Sequence, residues 1–134
     1  MLTKRYRRLI IAGTTAAAFA PAAITAHAQA AFPAKPVRII VGMVPGGFTD
    51  TSTRIVGSKL ADALGQQILV ENRPGANAYI AADITAKSAP DGYTLFMSHP
   101  GLTTNTLLFE KYPLNPLKDF TAVSLIAYIP NILV

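Results

Sequence analysis

One junction constrains this chain more than any other: "VRIIVGMVPGGFTDTSTRIVGSKL", Val37 to Leu60. A nearly unbroken apolar, β-branched run, Val37 to Val44, enters Pro45-Gly46-Gly47 and leaves with a helical period. A strand that is apolar on both faces suits the centre of a parallel sheet, where helices cover both sides. Beyond the glycines, Val56, Leu60, Ala63 and Leu64 recur at i, i+4, i+7 and i+8, one stripe of a helix. Thr49 or Asp50 offers an N-terminal cap and Gly65 a C-terminal stop.

The alternation then repeats. Gln67 to Glu71 reads as a second strand ending in a turn. The alanine-rich "ANAYIAADITAKSA" reads as a second helix, with Ile80 and Ile84 one turn apart and Pro90 as its limit. Tyr93 to Ser98 follows a Pro-Asp-Gly turn as a third strand. An order βαβαβ with short connections predicts an α/β fold on a parallel sheet with right-handed crossovers. After Ser98 the pattern loosens into a short helix near Thr106 to Phe109 and a proline-punctuated loop. "TAVSLIAYIPNILV" then predicts one or two strands, broken at Pro130. Ahead of the first strand, Pro33 and Pro36 make "AFPAKP" an extended lead-in.

The first thirty residues belong to a different argument. Lys4, Arg5, Arg7 and Arg8 precede the uncharged run "LIIAGTTAAAFAPAAITA" and the small-residue sites Ala26-His27-Ala28 and Ala28-Gln29-Ala30. Basic, apolar and small segments in that order predict a secretory signal peptide over residues 1–30. Thr14, Thr15, Pro21 and Thr25 interrupt the run, which argues against a spanning helix. The rest, 31–134, is then read as a single α/β domain exported to the periplasm. Of 12 Lys and Arg against 7 Asp and Glu, four of the basic residues lie in that leader, so the mature part carries a net +1. The whole-chain basicity is therefore an export signature, and nucleic acid is not an expected partner. With no cysteine, thiol nucleophiles, zinc-thiolate sites, disulfides and an N-terminal lipid anchor are all excluded.

Three loops carry the candidate chemistry: "PGGFTD" at 45–50, "NRPGANA" at 72–78 and "SHPGLTTN" at 98–105. Each follows a strand and precedes a helix, so all three should meet at the carboxyl edge of the sheet, where open α/β sheets bind ligands. Gly46 and Gly47 lack Cβ atoms, and a helix N-terminus just beyond them supplies free N–H donors and partial positive charge. Neither G-x-x-x-x-G-K-[ST] nor G-x-G-x-x-G is present, and no lysine or arginine sits in the first loop. A carboxylate held by amides and hydroxyls suits it better than a phosphate. Equally, Gly-Gly can serve a tight turn alone, and Asp50 can cap the helix, orient the loop or accept from a ligand amine. His99, the one histidine beyond the leader, has no serine elbow, partner carboxylate or second histidine, so it reads as a polar loop residue. Phe48 and Tyr79 could wall a pocket. Asp83, Lys87, Lys111 and Lys118 read as surface charges.

Taken together, "KPVRIIVGMVPGGFTDTSTRIVGSKLADALGQQILVENRPGA", "SAPDGYTLFMS" and "YPLNPLKDFTAVSLIAYIPNILV" closely resemble the Bug family of periplasmic substrate-binding proteins of tripartite tricarboxylate transporters. The resemblance runs from Phe32 to Val134. It implies a type II periplasmic-binding-protein-like fold, in which two α/β domains close on a small carboxylate-bearing solute. Because members of that family are longer, it also implies an incomplete first domain ending near the crossover to a second. Residue by residue, it implies ligand contacts from Gly46, Gly47, Phe48, Thr49 and Asp50 in the first loop. Asn77 in the second and Ser98, Gly101, Thr103 and Thr104 in the third complete the set. Asn77-Ala78-Tyr79 stands where the family usually has Gly-Gly-Asn, and Thr106 where it often has proline. The implied function is solute binding for membrane permease subunits, by a monomer without catalysis or cofactor. The rival readings are an exported α/β enzyme using the same anion loop and a non-binding gene fragment.

Overall fold

A computed structural model describes residues 32–128. The expected leader, and the end of the last expected strand, lie outside the described residues. Three strands, β1 (Val37–Val41), β2 (Ile68–Asn72) and β3 (Thr94–Met97), alternate with three helices, α1 (Phe48–Leu64), α2 (Tyr79–Ala86) and α3 (Gly101–Leu108). The strands form one sheet in the order β2-β1-β3, and both pairings are parallel. Ile39 stands opposite Val70 on one side and Leu95 on the other. The parallel α/β arrangement expected from the sequence is the one observed.

That order makes the chain move outward from β1 to β2, then back past β1 to β3. With right-handed crossovers in both directions, α1 and α2 fall on opposite faces of the sheet, and β1 is covered on both. Val37, Ile39, Ile40 and Val41 are accordingly buried, which accounts for the unbroken apolar run. Between β1 and β3 the order reverses, the kind of switch point beside which open α/β sheets bind ligands.

The helix faces differ from those the sequence suggested. On α1 the buried positions are Asp50, Thr53 and Gly57, whereas Ala63 and Leu64 are exposed. A Cβ on Gly57 would stand 3.2 Å from Ile68 Cγ2 and 3.7 Å from Val70 Cγ2. The bare Gly57 surface thus lets α1 settle directly on the branched side chains of β2. On α2, Ala81 and Ala82 face inward, while Ile80 is exposed. In both helices close approach of backbones wins over the burial of larger side chains.

Three further expectations need correction. Helix α1 begins at Phe48 behind Gly47, without a side-chain cap, so neither Thr49 nor Asp50 is the capping residue. The helix after β3 runs from Gly101 to Leu108, starting five residues before the expected Thr106. Residues 121–128 form no strand and are exposed, so no expected strand forms within that stretch.

Across β1 and β2, Arg38 and Glu71 form a two-bond ion pair, with Nε–Oε1 at 2.9 Å and Nη2–Oε2 at 3.0 Å. Arg38 lies opposite Leu69, so Glu71 is its diagonal neighbour. This pair holds the Glu71 carboxyl below its usual range and adds a sheet contact at the exposed margin.

Candidate functional site

All three strands run the same way, so the loops at 42–47, 73–78 and 98–100 leave the same edge, as the sequence predicts. The first loop is closed from within. Gly46 takes a φ of +83°, a left-handed conformation for which glycine is suited. Its N–H donates to Asp50 Oδ2 at 2.8 Å. The other carboxylate oxygen accepts from Arg54 Nε at 3.0 Å and from Asn72 Nδ2 at 2.9 Å. Asn72 also donates to the Met43 carbonyl at 3.1 Å and accepts from Arg54 Nη2 at 2.9 Å. Asp50 is 3% exposed, and these donors, Arg54 foremost, then Gly46 and Asn72, lower its pKa to about 2.

This network bears on the alternatives that the sequence left open. Both oxygens of Asp50 are engaged inside the protein, an arrangement that orients the loop. Arg54 offsets its charge, which would otherwise repel an anion at the start of α1. Asn72 and Arg54 carry no obvious signature. The i, i+4 spacing of Asp50 and Arg54 is visible in the sequence, but the bond from Asn72, 22 residues away, is not.

The starts of α1 and α3 at this edge are unequal. In α1 the first intrahelical bond runs from the Thr51 amide to the Gly47 carbonyl at 2.9 Å. The amides of Phe48, Thr49 and Asp50 thus precede any helical acceptor and point out of the N-terminus. In α3 the equivalent donors are consumed: Gly101 N–H donates to His99 Nδ1 at 2.9 Å, Leu102 to the His99 carbonyl, and Thr103 and Thr104 to the Pro100 carbonyl. His99 folds back over Gly101, and burial pushes its imidazole below the ordinary value. Its Nε2 is buried and without a partner among the described residues.

The second loop holds the most unusual backbone. Ala76, Asn77 and Ala78 take φ values of +46°, +51° and +66°, three consecutive left-handed residues in a single 3₁₀ turn. Such a conformation costs roughly 1–2 kcal/mol for each non-glycine residue. Ala78 is buried with its methyl against Gly42, where β1 ends, and no Cβ would fit on Gly42 beside it. Asn77 Nδ2 donates to Asn105 Oδ1 at 2.6 Å, and Asn105 Nδ2 donates back to the Asn77 carbonyl at 3.1 Å. Asn105, on α3, is fully buried.

Of the sequence-predicted residues, Gly46, Gly47, Phe48, Thr49 and Asp50 therefore cluster at the start of α1. Asn77 and Gly101 meet at the start of α3, where a Cβ on Gly101 would lie 3.0 Å from Asn77 Nδ2. Ser98, Thr103 and Thr104 are exposed around that second cluster. Phe48 is exposed, whereas Tyr79 does line a concavity of about 230 Å³ with Ala76, Phe109, Lys111, Tyr112 and Pro113. Sequence reasoning missed Asn105, whose only signal was its place at the end of the third loop.

A parallel sheet whose strand order reverses between β1 and β3, with helix-start amides and hydroxyls at its carboxyl edge, defines an open α/β fold. Comparison with known proteins narrows the class. The family model described as "Tripartite tricarboxylate transporter family receptor" matches residues 52–134, and the chain belongs to that family. It is 34% identical over 96% of its length to the "UPF0065 protein in tcbD-tcbE intergenic region" of Pseudomonas sp. (strain P51), covering 38% of that protein. With "Protein BugT" of Bordetella pertussis it shares 42% identity over 77% of its length, covering 32% of that protein. The chain thus spans about a third of the length of the curated relatives it matches. Among solved structures, the periplasmic binding protein BugD is 34% identical, with 48% of this chain and 22% of that one covered at a TM-score of 0.47. MatC from Rhodopseudomonas palustris, solved with bound malate, is 43% identical, with the same coverage and TM-score.

Proposed function

We propose that this chain is the solute-receiving part of a tripartite tricarboxylate-type transporter, exported to the periplasm, where it binds a small carboxylate-bearing solute and presents it to membrane permease subunits. The observation that carries this reading is the open first turn of α1. Its three leading amides follow a Pro-Gly-Gly turn that Asp50, Arg54 and Asn72 hold in shape. Amides at a helix start, with no lysine or arginine in the adjoining loop, suit a singly charged carboxylate group better than a doubly charged phosphate. Membership of a receptor family for tricarboxylate transport supports the same chemistry from an independent direction. Gly46, Gly47, Phe48 and Thr49 would then lie at the solute's charged end. Asn77, Ser98, Thr103 and Thr104 would border the remainder of the crevice, and the buried Asp50 and Gly101 would shape it.

Calorimetry on the exported gene product tests the reading, using mono-, di- and tricarboxylates alongside the corresponding amides. Saturable binding of at least one carboxylate, with none of its amide, is the expected result. Binding of a sugar or a free amine in preference to every carboxylate would overturn it.

A further inference from the structure

The left-handed turn Ala76–Ala78 is the least comfortable backbone in the described protein, and it sits at the binding edge. Left-handed alanine is disfavoured because its Cβ crowds the following carbonyl, and only Asn77 is of a type that tolerates the region well. Something outside the turn must therefore hold it. Among the described residues, the bonds that reach it from another element come from one side chain, the Asn105 amide. One end of that amide accepts from the Asn77 side chain and the other donates to the Asn77 carbonyl. No other residue type of that size offers an acceptor and a donor in this fork. Asn105 is fully buried and so does not meet solvent or a solute directly.

The turn is also seated at two of its residues. Ala78 packs on Gly42 at the end of β1, and the Asn77 amide lies over Gly101 at the start of α3. A residue that fixes Asn77 therefore fixes the loops after all three strands relative to one another.

We infer that Asn105 is a positioning residue: its side-chain fork clamps the strained turn Ala76–Ala78 to α3 and so sets the geometry of the solute crevice without touching the solute. The part concerning solute rests on the proposed function, whereas the clamp itself does not.

The test uses the exported gene product with Asn105→Asp, which keeps the shape of the side chain. It removes the donated bond and sets a carboxylate against the Asn77 carbonyl. Amide hydrogen exchange without solute should quicken at least tenfold at the buried Ala78 and at Tyr79, whose N–H is bonded to the Ala76 carbonyl, while Ile39, Ile40 and Val41 keep their protection. Affinity for the carboxylate identified by calorimetry should fall at least tenfold. Adding Ala76→Gly, at an exposed position where glycine accepts the left-handed φ, should restore part of both. Should Asn105→Asp fail to fold, Asn77→Ala removes one of the two bonds and should quicken exchange over the same residues. Unchanged exchange at Ala78 and Tyr79, or an equal loss across β1 that Ala76→Gly does not mend, overturns the clamp. If the unaltered protein binds no carboxylate, the transport reading fails, and the exchange result alone then upholds or overturns the clamp.

Discussion

Asp50 closes the turn that precedes its own helix: its Oδ2 accepts the Gly46 amide at 2.8 Å, four residues back along the chain. A carboxylate at the third helical position normally serves the dipole and the frayed amides at the helix start. Here it also fastens the left-handed glycine that gives the loop its shape.

The depressed pKa of Asp50 makes that fastening acid-labile. Its folded value of about 2 lies below the ordinary value of about 3.9, so the ionised form favours the folded state. The contribution is complete above about pH 5 and is lost as pH falls through the folded value of about 2. Melting temperatures of the native protein and of Asp50→Asn should therefore differ by several degrees at pH 6, and the difference should narrow steadily as pH is lowered from about 4 to below 2. A constant difference across that range would mean that Asp50 is not the group being titrated.

The open amides of α1 can be removed one at a time without harming the helix. Phe48 is the first helical residue, where proline is well tolerated, and Gly47 is already extended at φ −73°, ψ 170°, as a residue before proline prefers to be. Phe48→Pro should melt within a few degrees of Phe48→Ala. Its affinity for carboxylate should nevertheless be roughly ten- to a hundredfold weaker than that of Phe48→Ala, the range for a lost hydrogen bond to a charged group at about 1.5–3 kcal/mol. Titration calorimetry on the two variants decides it, and equal affinities would place the anion elsewhere.

A Cβ on Gly42 would collide with the Ala78 methyl and stand 2.9 Å from the Ala78 Cα. Gly42→Ala alone should cost about 1–3 kcal/mol, as overpacking of a filled interior does. Gly42→Ala with Ala78→Gly moves the methyl across the contact and gives the left-handed position a residue suited to it. Urea denaturation should show the double variant recovering only part of the loss, because a Cβ at 42 would still stand 2.9 Å from the Cα of residue 78. Additive losses would mean that the two sites do not meet.

Arg38 holds Glu71 through two parallel bonds, a geometry that lysine lacks. Both side chains are partly exposed, so Arg38→Lys should lower stability by only about 0.5 kcal/mol. The loss should persist in moderate salt if the fork, rather than bare charge, carries it. Paired denaturation curves with and without added salt would measure this.

The architecture was legible because it rests on large patterns. An apolar run of β-branched residues marked β1, the Pro-Asp-Gly turn marked the start of β3, and Pro-Gly steps marked the loops that gather at one edge. The faces of the helices were not legible for a physical reason. A reading weighted towards Val, Leu and Ile looks for bulk, but α1 and α2 dock through Gly57, Thr53, Ala81 and Ala82, where the absence of bulk permits contact. The left-handed turn was hidden by the same residue type: alanine is the strongest helix former, and "ANA" gave no sign of positive φ. Asn77 and Asn105 are 28 residues apart, and only the fold brings them within bonding distance. By contrast, the spacing of Asp50 and Arg54 could have suggested their pairing.

The contact between Gly42 and Ala78 also imposes an order on change. A side chain at position 42 is most costly while alanine occupies 78, whereas glycine at 78 is acceptable whether or not 42 has changed. A lineage that acquires alanine at the end of β1 is therefore best served by losing the methyl at 78 first, with a small backbone shift at 78 to follow. Its history would pass through a glycine pair.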